Sequence, residues 1–176
     1  TLADTSSSVV AIQVFSDNKL FSQGNGIVLS ADGLIVIPAS LTVSKGIYQI
    51  AYNDKIIKGK LVRFDLARNL ALIKTESRDL DVSDLSQDTY QSGQDILIVG
   101  KMANLSSVVT ASQKGIISYV DGSKIALDVN PAGYLRGAKV VKFDGSMVGM
   151  LYVKNEKAFL IDAGAIKEFF DEYIKS

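Results

Sequence analysis

The fold of this chain is decided by the stretch Gly24-Asn25-Gly26-Ile27-Val28-Leu29-Ser30-Ala31-Asp32-Gly33-Leu34-Ile35-Val36. Two runs rich in Val, Ile and Leu lie on either side of its Asp-Gly pair, at Gly26–Ser30 and Leu34–Pro38. Val and Ile favour strands, and Asp-Gly favours a tight turn because glycine tolerates positive φ. The stretch therefore predicts two strands joined by a turn.

The same pattern continues along the chain as short β-rich runs separated by turn residues. A first set of six candidate strands covers Val9–Phe15, Gly26–Ser30, Leu34–Pro38, Ile47–Tyr52, Ile56–Phe64 and Leu70–Thr75. A second set of six covers Asp95–Gly100, Ser107–Tyr119, Lys124–Val129, Gly137–Phe143, Met147–Val153 and Ala158–Ile161. Two such sets predict an all-β fold of two six-stranded antiparallel barrels, because barrels close their own strand edges.

The remaining segments suggest how the chain is organised. Residues 1–8 are small and polar, which favours a linker or flexible N-terminus before one domain over residues 9–176. Within that domain we expect an N-terminal barrel over about 9–78, a polar connector over about 79–93 and a C-terminal barrel over about 94–162. The tail predicts one amphipathic helix over about 164–175, because its apolar residues recur at helical spacing. These are Ile166, Phe169, Phe170, Tyr173 and Ile174.

Two residue types that carry much of nucleophilic catalysis are absent. The 176 residues include no histidine and no cysteine. Histidine is the usual general base because its ordinary pKa is about 6.5, and without cysteine there is no thiolate, disulfide or zinc–thiolate site. The 19 basic and 19 acidic residues give a formal net charge of zero. We therefore expect neither nucleic-acid binding nor a cofactor.

Several framework segments resemble the protease domain of the HtrA/Deg family of trypsin-like serine proteases. The opening stretch is similar to the family's G-S-G-F-I-I-S-x-D-G-Y-I-L, and 69–74 is similar to D-L-A-V-L-K. Residues 92–100 resemble G-x-x-V-x-A-I-G, and 109–118 resemble V-T-x-G-I-V-S. The resemblance runs from Val9 to Tyr173 and implies a chymotrypsin-like fold. Carried along these matches, the family's catalytic histidine falls on Ser40 and its aspartate on Asn69.

The nucleophile region departs furthest from the family's N-P-G-N-S-G-G-P-L-V-N-x-D-G-x-V-I-G. Counting back from Asp144-Gly145, the family's serine falls on Arg136, with two extra residues after Pro131. Tyr134-Leu135-Arg136 fill a turn that is rich in glycine in the family and whose N–H groups form the oxyanion site. With all three catalytic positions replaced, the resemblance implies a catalytically inactive pseudoprotease.

The resemblance also implies partners and a location. We expect a protein or extended peptide to bind along the old substrate cleft, by strand addition or against Tyr134, Leu135, Arg136 and Lys139. A guanidinium at Arg136 is suited to bind a carboxylate bidentately. Family members often form trimers and work outside the cytoplasm, in the periplasm or at the cell surface, often with a membrane tether, which here would lie outside this segment.

Two other classes of protein stay open from the sequence. One is a metal-binding pseudoprotease, because four aspartates in the connector suit a hard cation such as calcium, although the glycine and glutamate of an EF-hand loop are missing. These aspartates are Asp79, Asp81, Asp84 and Asp88. The other is a hydrolase without histidine, with Ser40 and a lysine base or with Thr1 as an N-terminal nucleophile.

Overall fold

The computed structural model describes residues 2–104 and 107–176, with side chains from Asp4 onward. The first six strands form one closed antiparallel barrel in the order β1-β2-β3-β6-β5-β4, and β4 pairs back onto β1. The strands are β1 (Val9–Ser16), β2 (Lys19–Val28), β3 (Leu34–Pro38), β4 (Ile47–Tyr52), β5 (Lys55–Asp65) and β6 (Leu70–Thr75).

The second six strands form another closed barrel in the order β10-β11-β12-β9-β8-β7, which closes through pairing of β10 with β7. The strands are β7 (Asp95–Ala103), β8 (Val108–Asp121), β9 (Lys124–Asp128), β10 (Lys139–Lys142), β11 (Met147–Lys154) and β12 (Lys157–Asp162). Two six-stranded antiparallel barrels confirm the fold class predicted from the sequence.

Three apolar clusters hold the molecule together: one inside each barrel and one between the barrels. In β3, Ile35 points into the first barrel whereas Val36 joins the cluster between the barrels. In β6, Ile73 likewise lies inside the first barrel, and Leu72 lies in the cluster between the barrels. Successive side chains of a strand face opposite sides, so both strands are buried on both faces. This double burial explains the unbroken apolar runs Leu34–Pro38 in β3 and Leu70–Ile73 in β6.

The C-terminal helix α2 (Ala163–Lys175) packs on the cluster between the barrels, with Phe169 fully buried. Asp162 caps its first turn by accepting a hydrogen bond from the Ala165 N–H at 2.8 Å. Arg68 of the first barrel pairs with Glu172 at 2.7 Å, and its guanidinium lies 5.1 Å from the Phe169 ring centroid. The helix thus contacts both barrels. Within residues 2–104 and 107–176, no helix is long and apolar enough to cross a membrane.

The structure differs from the sequence-based expectation at two places near the N-terminus. Residues 1–8 were expected to form a linker, but Leu2–Ser6 form a one-turn helix, α1, and Ser8 is 2% exposed. Thr5, Ser6 and Ser8 are buried because α1 packs on β7 and the Ser8 carbonyl accepts the Val28 N–H ahead of β1. Strand β2 begins at Lys19 rather than Gly26, since its exposed first half pairs with β1.

Candidate functional site

Ser40 and Asn69 meet at one end of the first barrel. Ser40 lies exposed on a 3₁₀ turn (Ala39–Leu41) that follows β3, and its N–H donates to Asn69 Oδ1 at 2.9 Å. The Asn69 carbonyl accepts the Ala39 N–H at 3.1 Å. Asn69 has φ of 56°, a left-handed conformation that asparagine tolerates better than most residues. A hydroxyl and an amide offer hydrogen bonds, but neither takes up a proton near neutral pH.

The turn that carries Arg136 is wound into a second 3₁₀ turn, Gly133–Leu135. The Leu135 N–H donates to the Ala132 carbonyl at 2.9 Å, and the Arg136 N–H reaches the Gly133 carbonyl at 3.5 Å. The Arg136 Nε also bonds to the Gly133 carbonyl, at 3.2 Å. The N–H at the nucleophile position, one of the two that an oxyanion would need, is therefore directed at a carbonyl of the turn itself.

Asn25 fixes this turn against the first barrel, and sequence reasoning missed it. Its side chain is fully buried, its N–H donates to the Arg136 carbonyl at 2.7 Å, and its Nδ2 donates to the Tyr134 carbonyl at 2.5 Å. Its Oδ1 accepts the Lys101 N–H at 2.6 Å. A Cβ at Gly24 would lie 2.4 Å from the Arg136 oxygen, so only glycine fits there. The sequence signal that could have identified Asn25 is its position between two glycines at the start of an apolar run.

A cleft of about 490 Å³ opens between the barrels beside Ser40 and Asn69; we call it the inter-barrel cleft. Its walls are the β5–β6 loop of the first barrel and the outer faces of β11 and β12, with α2 at one end. The lining residues are Ser40, Leu66, Ala67, Arg68, Asn69, Ser123, Tyr152, Val153, Lys154, Leu160, Ile161, Asp162 and Ala165. Tyr134, Leu135 and Arg136 are not among them.

One wall of the cleft ends in an unpaired strand edge. The Leu151 N–H donates to the Ala138 carbonyl at 2.9 Å, and the Leu151 carbonyl accepts the Gly137 N–H at 2.9 Å. Val153 lies two residues further along β11, so its N–H and carbonyl point the same way as those of Leu151. Strand β10 pairs with β11 only as far as Met150. In the described part of the chain, no backbone group bonds to Val153 on this side.

Lys139, expected beside Arg136, is placed elsewhere. Its side chain is 6% exposed, and its Nζ donates to the Ser8 Oγ at 3.3 Å. It lines a different cavity, of about 290 Å³, together with Asp84 and Ser146. Burial lowers the pKa of the Lys139 ammonium, with a smaller opposing effect of Asp84. Lys139 therefore does not share a cavity with Ser40 and Asn69.

Two of the connector aspartates are bonded to groups other than a shared metal site. Asp88 pairs with Lys142 at 2.7 Å and accepts the Ser146 hydroxyl at 2.7 Å, which lowers the pKa of its carboxyl to about 2. Asp84 accepts the Ser86 N–H at 2.8 Å. Among the residues whose side chains are described, no group of three or more carboxylates is placed to hold a metal ion. Thr1 lies outside the described residues.

The sequence is similar to that of known peptidases. A family model described as a trypsin-like peptidase domain matches residues 14–150. Serine protease HTR4 of Rattus norvegicus and serine protease HTRA4 of Mus musculus are each 28% identical over 189 aligned positions, which cover 94% of this chain and 38% of each relative. Putative serine protease HhoB of Synechocystis sp. is 28% identical over 108 positions, covering 60% of this chain and 25% of that protein. The chain thus spans well under half the length of these relatives.

The solved structures that it resembles have the same architecture. The crystal structure of Deg5 superposes with a TM-score of 0.81 at 18% identity and covers 95% of this chain and 88% of that one. The serine endoprotease from Yersinia pestis superposes with a TM-score of 0.83 at 20% identity, over 100% of this chain and 67% of that one. The match of the family model over most of the chain decides the family. The chain belongs to the trypsin-like peptidase family, and the relatives it matches there are HtrA and Deg serine proteases.

Proposed function

We propose that this chain is a catalytically inactive, HtrA-like pseudoprotease domain that binds an extended protein segment without cutting it. The observation that carries the proposal is the pair Ser40–Asn69 at the mouth of the cleft, in a chain that has no imidazole and no thiol. A serine-type nucleophile needs a neighbouring group that accepts its proton. A guanidinium at Arg136 supplies neither the nucleophile nor that group.

The N–H group of Arg136 supports the same conclusion. Oxyanion stabilisation requires donors about 2.7–3.1 Å from the position of the developing charge, and the N–H of the nucleophile position is one of them. The Arg136 N–H, at that position, is directed at the Gly133 carbonyl instead. The proposed domain therefore lacks a proton acceptor, and one of its two oxyanion donors is directed at the turn itself.

The edge of β11 at Val153 supports the proposed binding mode. A strand edge with a free N–H and carbonyl accepts an extended segment through main-chain hydrogen bonds. This edge borders a cleft of about 490 Å³, which leaves room for side chains of the added strand. The ligand of the domain is therefore a protein or peptide in an extended conformation.

Inactivity is tested with a fluorophosphonate, which forms a covalent bond with activated serine and threonine hydroxyls. We expect no labelling of the purified chain, with an active HtrA protease labelled in parallel as the positive control. Labelling that maps by mass spectrometry to Ser40 or to Thr1 would instead support a hydrolase with an unconventional base.

Strand addition is tested with nonapeptides selected from a random phage library for binding to the chain. Val153→Pro removes the N–H that the added strand would use, and we expect at least tenfold weaker binding by fluorescence polarisation. Val153→Ala keeps the N–H and is the matched control. Methylation of alternate peptide nitrogens should weaken binding to the unaltered chain as well, and equal affinity of the methylated and parent peptides would rule out a main-chain mode.

We further propose, from the likeness to HtrA proteases, that the domain works outside the cytoplasm and assembles as a trimer, with any membrane tether outside this segment. The zero net charge supports a protein partner rather than a nucleic acid. Sedimentation equilibrium of the purified chain tests the assembly: a mass of about three times 18.9 kDa supports a trimer, and a monomer mass opposes it.

A further inference from the structure

We propose that the inter-barrel cleft selects one bulky apolar side chain of the bound segment, followed closely by a carboxylate. This inference rests on the proposed binding along β11 and adds what the domain recognises. The apolar side chain would bind beside Asn69, on one side of the β11 edge at Val153, and not at the turn that carries Arg136.

The walls of the cleft are mainly apolar and have room between them. Tyr152 is held against Phe159, with ring centroids 5.4 Å apart and an interplanar angle of 26°. Leu66 lines the cleft from the first barrel and is 71% exposed, so its apolar side chain is available to contact a ligand. Ala67 and Ala165 have small side chains, which leaves the volume between the walls open. An inserted Phe, Leu or Met would cover the Leu66 side chain and gain from removal of apolar area from water.

Most charged groups of the cleft already have partners inside the protein. Arg68 is held by Asp65 and Glu172, both at 2.7 Å. Asp162 accepts the Tyr90 hydroxyl at 3.0 Å and caps α2. Lys154 is exposed, and no described side chain forms an ion pair with it. The one cation in the cleft without such a partner thus follows Val153 directly along β11, where it suits a carboxylate on the added strand.

The opposite side of the β11 edge has no comparable space. Leu135 is 2% exposed and packs in the core of the second barrel. Tyr134 packs against the same core, and its carbonyl is bonded to the buried Asn25 amide. None of the three turn residues 134–136 lines the inter-barrel cleft, and the cavity that Tyr134 does line holds about 140 Å³. The larger space for a side chain is therefore on the side of Ala67 and Ala165.

The experiment compares how nonapeptides selected on the unaltered chain bind to four variants. Ala67→Trp fills the cleft from an exposed loop position, and Ala132→Trp adds the same side chain at an exposed position beside the Arg136 turn. We expect the selected peptides to share a Phe, Leu, Ile, Tyr or Met with an Asp or Glu within two residues. Ala67→Trp should weaken their binding at least tenfold, and Ala132→Trp by less than twofold. Lys154→Glu should weaken binding more than Lys58→Glu, an identical charge change on the other barrel.

Failure of this inference is distinguishable from failure of the proposed function. If peptides bind and depend on the Val153 N–H, but lack the shared apolar residue or are blocked by Ala132→Trp and not by Ala67→Trp, the inference is wrong and the proposed function stands. If no peptide is enriched, both are contradicted. Circular dichroism of each variant establishes that the fold is retained.

Discussion

Asn25 is a buried amide whose hydrogen bonds join the two barrels. Asn25→Ala would leave the Lys101 N–H and the Tyr134 carbonyl without their partner, in a site that water does not reach. Each unsatisfied buried group costs about 1–3 kcal/mol, so we expect a loss of about 2–4 kcal/mol in the free energy of unfolding. Urea denaturation measures it, and Asn130→Ala, at an exposed position, should change it by less than about 0.5 kcal/mol. Equal effects of the two substitutions would contradict the assigned role of Asn25.

Arg136 stands where the resemblance places the nucleophile, yet a serine there would have no proton acceptor. We therefore expect Arg136→Ser to show no peptide hydrolysis above that of the unaltered chain. The matched comparison is a triple variant that also carries Ser40→His and Asn69→Asp, since it supplies a base and the group that orients it. Measurable hydrolysis by the single variant, followed with a fluorogenic peptide, would refute this prediction.

The Tyr90 hydroxyl in the connector donates a hydrogen bond to Asp162, the residue that caps α2. Because this hydroxyl can lose its proton, the stability of the fold should depend on pH in the alkaline range. Burial raises the pKa of the Tyr90 hydroxyl to about 12, and the neighbouring Asp162 carboxylate adds to the effect. Between pH 10 and 12 the unfolded chain releases this proton while the folded chain keeps it, so stability falls as pH rises.

Tyr90→Phe tests that dependence. At pH 7 the variant should be less stable by roughly 1–2 kcal/mol, because the hydrogen bond to Asp162 is lost. The difference between the two proteins should narrow from pH 10 to 12, since the phenylalanine has no proton to release. Urea denaturation at a series of pH values measures this, with Tyr119→Phe at an exposed position as the control. A constant difference across that range would contradict the assigned coupling.

The strands whose bounds match the sequence-based ones are β3, β4 and β6. Continuous apolar runs mark β3 and the first part of β6, and the turn residues Gly46 and Asn53 lie directly outside β4. The predicted start of β2 was wrong because Lys19–Gly24 has no strand-like alternation of apolar and polar residues, and its pairing with β1 depends on the turn at Asp17 and Asn18. Both turn residues have positive φ, and this conformation was not evident without a glycine.

The whole molecule combines features that the sequence reveals with others that only the packing creates. The proximity of Ser40 and Asn69 follows from family resemblance, because their motifs can be matched along the chain. The free edge at Val153 depends on where β10 stops pairing, and the inter-barrel cleft depends on how two barrels and α2 meet. Such contacts join residues far apart in sequence, so local patterns carry no trace of them. Lys139 was expected beside Arg136 because the two are near in sequence, whereas its actual partner, Ser8, is far away along the chain.

Mass spectrometry of an unfolded substrate shows whether this peptidase fold binds an extended chain and leaves it intact. The purified chain is incubated with unfolded, fluorescein-labelled casein over a range of chain concentrations, and the products are analysed at intervals. We expect the casein to stay at full length at every concentration. Fragments that increase in proportion to the concentration of the chain, and persist after further purification, would contradict it.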